Sequence, residues 1–461
     1  MPNILLTILI LSLNIFGTLA EKSTIQGYIP GAENHEIRLL TYTELITYTE
    51  TILERTSIDS TGYFSFEIDI KETQYCLLDL DFYASGIFVE PGANYKIIGD
   101  SIQEISPFKA FFNKNNLNYQ IDSLGNSDLN FLISEFNKSY NTFILENFDA
   151  IYRRRNKSSI ETFRSEINEL YSHISNSYFQ SYVDYKIASI ELAAASFKKP
   201  FLFNKYIKDK PVQYSHVEYM HFFNQFFDQY ISSQSKDVTR NDLVSTINYQ
   251  SSYSALLDSL GKDSLLRNEV IREMVLMKSL VEFYNNPKFS KQNMLSILNQ
   301  LADATAFEKH KIIARSLIKE LSKLESGTLA PQIILPDLND SLVSLSDFQG
   351  QAVFLSFLAT WSSACLGEYK LLDSLHFKYG DSIKFITVSL DKNPEIIRQY
   401  VADKGYDWLF LYNGSGYDLI NSYNIKTFPL FVLISEGGKI LQYPAYKPSE
   451  VIEETFRKLV E

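Results

Sequence analysis

At 461 residues the chain exceeds what one ordinary hydrophobic core organises, so several domains are expected. A content of 45% hydrophobic and 21% charged residues is that of a globular protein and argues against wholesale disorder. The net charge of −12 argues against a nucleic-acid partner, since phosphate binding needs a cationic surface, and two cysteines in all, Cys76 and Cys365, cannot form a disulfide scaffold.

The chain begins with an apolar run over residues 4–19, interrupted by Ser12 and Asn14 and followed by Thr18-Leu19-Ala20, with small residues at the −3 and −1 positions. That pattern reads as a secretory signal, residues 1–20, cleaved after Ala20. No Lys or Arg precedes the apolar run, a departure from the usual signal. The alternative is an uncleaved anchor, which would leave the protein membrane-associated, although the run is short and polar for a span. No cysteine lies near the cleavage point, so lipid attachment there is not expected and the destination is the periplasm or cell envelope.

Residues 21–105 read as short strands. Ile25-Gln26-Gly27-Tyr28-Ile29 alternates, Gly31-Ala32 turns, and Glu36-Ile37-Arg38-Leu39-Leu40 follows. Residues 57–66 are strand, turn, strand, with Gly62 at the bend, and Glu90-Pro91-Gly92-Ala93-Asn94 is a second turn. Short strands at this spacing predict a small all-β sandwich. Cys76 is expected to be a buried packing thiol.

Over residues 106–325 the period becomes helical. Phe136, Tyr140 and Phe143 recur at four and three, and Ser158 with Glu161 forms a capping-box pattern ahead of Phe163, Ile167, Leu170 and Ile174. Ile313, Leu317, Leu321 and Leu324 mark a last helix that Gly327 stops. The Arg153-Arg154-Arg155 run is expected on a solvated helix face. His216 and His221 stand five apart with Glu218 between them, not the four-residue spacing of helical zinc motifs, so no metal is expected; no cofactor motif is present either.

Residues 326–461 alternate strand and helix. Residues 351–357, 383–389, 429–434 and 439–442 are strand runs, with helices over 364–379, 395–404, 417–423 and 449–460. The order βαβα, then ββα, predicts a mixed sheet covered on both faces.

Leu345-Ser346-Asp347-Phe348-Gln349-Gly350-Gln351, then Phe357-Leu358-Ala359-Thr360-Trp361-Ser362-Ser363-Ala364-Cys365, then Glu368, then Thr427-Phe428-Pro429 occur in the order found in the TlpA-like thioredoxin family and the neighbouring redoxin group, which this domain resembles. The resemblance implies a thioredoxin fold, an exported bacterial setting, and a cis proline at Pro429 whose preceding backbone, at Phe428, lies beside the active site and pairs with extended substrate segments.

The motif is degenerate. Where the family has its attacking cysteine, at a helix N-terminus that favours a thiolate, this chain has Ser362, and only Cys365, the resolving position, keeps its sulfur. A hydroxyl forms no disulfide, and Ser362 and Ser363 are expected to serve as helix caps. Glu368 is either a site carboxylate or an exposed helix residue. Three roles follow: an exported thioredoxin-like protein without a dithiol that binds a peptide or envelope protein; an oxidoreductase using Cys365 alone, whether by mixed disulfide or as a peroxidase; or a structural module whose work is done by the sandwich and helices.

Overall fold

The computed structural model describes residues 20–102, 114–122, 125, 127–195, 197–391, 393–414 and 417–461. The expected signal segment therefore lies outside the described residues, apart from Ala20, and no described helix is long and apolar enough to cross a membrane.

Among the described residues, nine strands build two facing sheets. β1 (Glu21–Tyr28), β4 (Tyr63–Ile70), β7 (Asn94–Gly99) and β9 (Tyr119–Asp122) form one, in the order β4-β1-β7-β9, with β1 and β7 parallel. β2 (Glu36–Glu44), β3 (Thr49–Ser57), β5 (Gln74–Leu80), β6 (Tyr83–Val89) and β8 (Asn115–Asn116) form the other, in the order β3-β2-β5-β6-β8. Alternation puts Phe64, Phe66, Ile68 and Ile70 of β4 inward against Leu39, Cys76 and Leu78 of the second sheet. Gly62 takes φ +88° at the β3–β4 turn. The sandwich reaches Asp122 rather than residue 105, because β8 and β9 add the last strand to each sheet. Cys76 is fully buried in this core, and burial pushes its thiol up to about 12.

The helical region comprises α1 (Leu129–Phe148), α2 (Lys157–Leu170), α3 (Ser177–Ala193), α4 (Lys199–Tyr206), α5 (Val217–Phe226), α6 (Arg240–Val244), α7 (Tyr253–Leu260), α8 (Glu269–Phe283), α9 (Lys291–Ala304) and α10 (Glu308–Ser322). Asn156, not Ser158, caps α2: its side chain accepts from the Ser158 N–H, so Ser158 is already inside the helix and the expected capping box is not formed. Arg153, Arg154 and Arg155 are exposed. The helices are not a free-standing bundle. Leu45 of the sandwich belongs to their larger core and Phe88 of β6 to the smaller one.

In the last domain a small hairpin, β10 (Ile334–Pro336) and β11 (Leu342–Ser344), precedes β12 (Ala352–Leu358), α11 (Ser363–Tyr379), β13 (Ile383–Ser389), α12 (Pro394–Lys404), β14 (Leu409–Tyr412), α13 (Tyr417–Ser422), β15 (Leu430–Ile434), β16 (Ile440–Gln442) and α14 (Ile452–Val460). The sheet order is β14-β13-β12-β15-β16, with β12, β13 and β14 parallel, β15 antiparallel to β12 and β16 antiparallel to β15, the thioredoxin fold. All seven residues of β12 are buried. Val353, Leu355 and Phe357 face one core, Phe354 and Leu358 the other, as expected for a central strand with both faces covered. The edge strand β14 is an addition to the sequence reading. Phe82 of the sandwich packs on this domain's core, and Arg38 bridges the buried Asp79 to Asp418 on α13.

Candidate functional site

The site residues meet at one end of the central sheet. The last ladder pair of β12 and β15 sets Phe357 opposite Leu430, so the chain beyond β12, toward Trp361, leaves the sheet beside the segment that enters β15 through Phe428 and Pro429. The Leu390 N–H donates to the Leu358 carbonyl at 2.9 Å, which brings the exit of β13 to the same end. Open α/β sheets place their sites outside such carboxyl ends.

Ser362 is the N-cap of α11. It has extended backbone, φ −97° and ψ 114°, and its hydroxyl oxygen accepts from the Cys365 N–H at 3.4 Å. One of the four unpaired donors of the helix start is thus satisfied by the residue that stands in the attacking position. Ser363 and Ala364 are exposed on the first turn.

Cys365 is fully buried, packed with Leu358 and Tyr369 in the core under α11. Burial raises its thiol most; hydrogen bonds with Ser362 and Ala359 pull it down, and the Asp391 and Glu368 carboxylates add to the rise. The helix start that would favour a thiolate is outweighed. The other thiol, Cys76, belongs to the sandwich core, so the two sulfurs sit in separate cores, and both are free.

Glu368 is not the exposed helix carboxylate that the sequence allows. It is buried, and its oxygens accept from the Ser449 N–H at 3.1 Å and the Ser449 hydroxyl at 2.6 Å, fastening α11 to the loop before α14. Its partner lies 81 residues away, beyond the reach of any local pattern.

Asp391, at the exit of β13, was not singled out from sequence. It is fully buried and accepts from the Thr360 N–H at 3.1 Å, the Thr360 hydroxyl at 2.8 Å and the Ser389 hydroxyl at 2.8 Å. It pins the Thr360-Trp361 stretch over the sheet end. An aspartate just after a strand, followed by Asn393-Pro394, reads locally as an ordinary turn, so only the fold reveals it.

The Phe428–Pro429 peptide bond is cis. The Trp361 indole meets the Phe428 ring edge to face, with centroids 5.0 Å apart and planes at 85°, and remains 38% exposed. The surface is therefore an aromatic pair beside backbone, flanked by Ser363 and Ala364. The domain's own histidine, His376, is in the last turn of α11, about 20 Å along the helix from Ser362. No cluster of His, Cys, Asp or Glu suited to a metal occurs among the described residues; His216 caps α5 and His221 pairs with Gln225. The geometry can hold an extended segment against rings and backbone. It offers no accessible thiol.

The redoxin family profile matches residues 325–454. The thiol-disulfide oxidoreductase ResA of Bacillus thuringiensis subsp. konkukian is 30% identical over 140 residues, covering 30% of this chain and 80% of that protein. The protein of the same name from Halalkalibacterium halodurans is 24% identical over 167 residues, 36% of this chain and 92% of that one. Among solved structures, a Bacteroides vulgatus protein described as a thiol-disulfide oxidoreductase is 26% identical, covering 30% of this chain and 99% of its own, with a TM-score of 0.29. A Chlorobium tepidum protein described as the thiol:disulfide interchange protein DsbE is 25% identical, covering 30% and 99%, with a TM-score of 0.28.

Proposed function

We propose, for a chain that belongs through its last domain to the redoxin family of thioredoxin-fold proteins, that it acts in the cell envelope as a binding protein without dithiol chemistry. An extended segment of a peptide or protein lies along the Trp361–Phe428–Pro429 edge and is held by ring contacts and backbone hydrogen bonds. One observation carries this reading: the hydroxyl in the attacking position is committed to capping α11 while the neighbouring thiol, Cys365, is fully buried. The envelope setting rests on the signal-like run at residues 4–19 and on the export implied by the family. The reading that uses Cys365 alone would need that thiol at the surface.

Two measurements test the proposal together. The purified protein should give no turnover in an insulin-reduction assay. Titration with extended peptides should change the emission of Trp361, which is exposed, while Trp408 is buried. Phe428→Ala should weaken that binding by about tenfold, the loss of one aromatic contact. Robust insulin turnover by the unaltered chain would overturn the reading, as would peptide binding indifferent to Phe428.

A further inference from the structure

The Arg153-Arg154-Arg155 run lies in the turn that joins α1 to α2. Backbone hydrogen bonds fold that turn tightly: the Arg154 N–H donates to the Asp149 carbonyl at 2.9 Å and the Asn156 N–H to the Ala150 carbonyl at 2.8 Å. Lys157 follows as the first residue of α2. Its Nζ stands 4.6 Å from the ring centroid of Phe197 and 6.0 Å from that of Phe201. The fold thereby sets the arginine turn beside a second basic stretch, residues 197–210, which contains α4.

Local charge here opposes that of the whole chain. Residues 149–161 and 197–210 together hold nine Lys or Arg against three Asp or Glu, whereas the protein has 43 of the former and 55 of the latter. Some of the cations are spent. Arg153 pairs with Asp149, Lys157 with Glu161 and Lys205 with the buried Glu191, and Lys199 donates to the Phe226 carbonyl. Arg154, Arg155, Lys198 and Lys208 are exposed and form no ion pair among the described residues.

Aromatic surface is exposed among these charges. Phe197 and Phe201 stack with centroids 5.4 Å apart and planes at 13°, and Phe201 is 48% exposed. At the arginine turn Phe148 and Tyr152 meet at 5.0 Å, and both are exposed, as is Leu145 a turn earlier on α1. Cations alone would make an ordinary solvated face. Rings interleaved with Lys and Arg instead suit the headgroup layer of a bilayer, where the cations meet lipid phosphates and the rings reach the acyl boundary.

The surface is built from helix ends and turns, so it presents no strand edge with which an acidic peptide could pair. We propose that this face docks the protein on an anionic lipid bilayer, with the arginine turn and the Lys198–Lys210 stretch against the headgroups and the exposed rings among them. Screening over about 8 Å at physiological salt lets these local cations act although the chain as a whole is acidic. The inference draws nothing from the Trp361–Phe428 edge, and the result of either test leaves the other standing.

The test is co-sedimentation of the mature chain, residues 21–461, so that the apolar run at residues 4–19 contributes nothing. The vesicles are phosphatidylcholine alone, or phosphatidylcholine with about 30% phosphatidylglycerol. At about 0.1 M salt the chain should partition to the anionic vesicles at least tenfold more than to the neutral ones, and the excess should vanish near 1 M. Each cation near such a surface is worth about a fivefold change in partitioning. The combined variant Arg154→Gln, Arg155→Gln, Lys198→Gln and Lys208→Gln should therefore fall to the level of the neutral vesicles. Its unfolding temperature should not change, since these four exposed side chains hold no ion pair in the fold. Phe201→Ser and Phe148→Ser leave the charge intact and should each lower partitioning about fivefold. Equal partitioning to both kinds of vesicle overturns the inference. So does a four-residue variant that sediments like the unaltered chain, or ring variants without effect. Capture of an oligoglutamate peptide by a chain that ignores anionic vesicles also overturns it, and makes the partner an acidic protein.

Discussion

The starts of α11 and α5 are both capped by a side chain, yet α11 begins beside the half-exposed Trp361 while α5 begins buried, with His216 and Glu218 both inside. At α11 three polar side chains are used internally: Ser362 caps the helix, Asp391 holds Thr360, and Glu368 holds Ser449. At α5, His216 caps the helix in the same fashion, and Glu218 in the first turn holds Lys186. Once the attacking sulfur is absent, polar groups around a thioredoxin site become structural supports, and what stays available there is aromatic surface and backbone.

Restoring sulfur is the harshest way to break this comparison. Ser362→Cys places a thiol where the helix dipole favours its ionised form, one turn from Cys365. If the loss of chemistry rests on one atom, the variant should form an internal disulfide with Cys365 under mild oxidation. Its insulin-reduction rate should rise from background by about a hundredfold or more, as expected when a nucleophile is supplied to an otherwise assembled site. A variant that oxidises yet remains inert would show that the surrounding surface has diverged as well.

The next effect concerns support rather than chemistry. Asp391→Ala leaves the Thr360 N–H and two hydroxyls without their shared acceptor in a buried place, and should cost about 3 kcal/mol. Glu368→Ala strips two donors from a partly exposed loop and should cost about 1–2 kcal/mol. Both tryptophans, Trp361 and Trp408, lie in the last domain, so urea unfolding followed by tryptophan emission reports that domain alone. Equal costs for the two carboxylates would mean that burial does not rank them. Ser362→Ala, which removes only the cap, should cost about 1 kcal/mol in the same assay.

How much of this was legible in the sequence follows from the range of each signal. The strand over residues 383–389 is legible to the residue because β-branched and aromatic side chains, Ile383, Phe385, Ile386, Thr387 and Val388, dominate it. β14 was missed: four residues following Trp408 show no turn-bounded run of their own, and pairing with β13 supplies the order. β8 and β9 escaped for the same reason, since Asn115-Asn116 has no apolar alternation, and the sandwich boundary came out early. Ser362 in place of cysteine was visible at once, because a motif is local. The Glu368–Ser449 and Asp391–Thr360 contacts were not, as each joins segments that only the fold brings together. The pairing of Glu218 with Lys186 was likewise invisible: from sequence Glu218 was no more than a residue between two histidines.

The smallest predicted effect separates burial from reactivity at Cys365. Its ordinary value is 9.0, and in the folded chain the thiol is held above that, chiefly by burial. The sign follows from linkage. Below pH 9 both folded and unfolded chains carry the proton, and the contribution to stability is complete. Above pH 9 the unfolded thiol ionises first, so the unfolded state is favoured and stability falls as pH climbs toward the folded value. Urea midpoints followed by tryptophan emission should therefore decline more steeply from pH 8 to pH 10 in the unaltered chain than in Cys365→Ala. The raised tyrosines of the domain, such as Tyr406 at about 12, pull in the same direction but are common to both proteins, so the difference isolates the thiol. In the folded chain at pH 8 neither cysteine should react with an aromatic disulfide reagent, and in denaturant both should. A single fast-reacting thiol in the native state, with equal alkaline slopes, would place Cys365 at the surface and return redox chemistry to the start of α11.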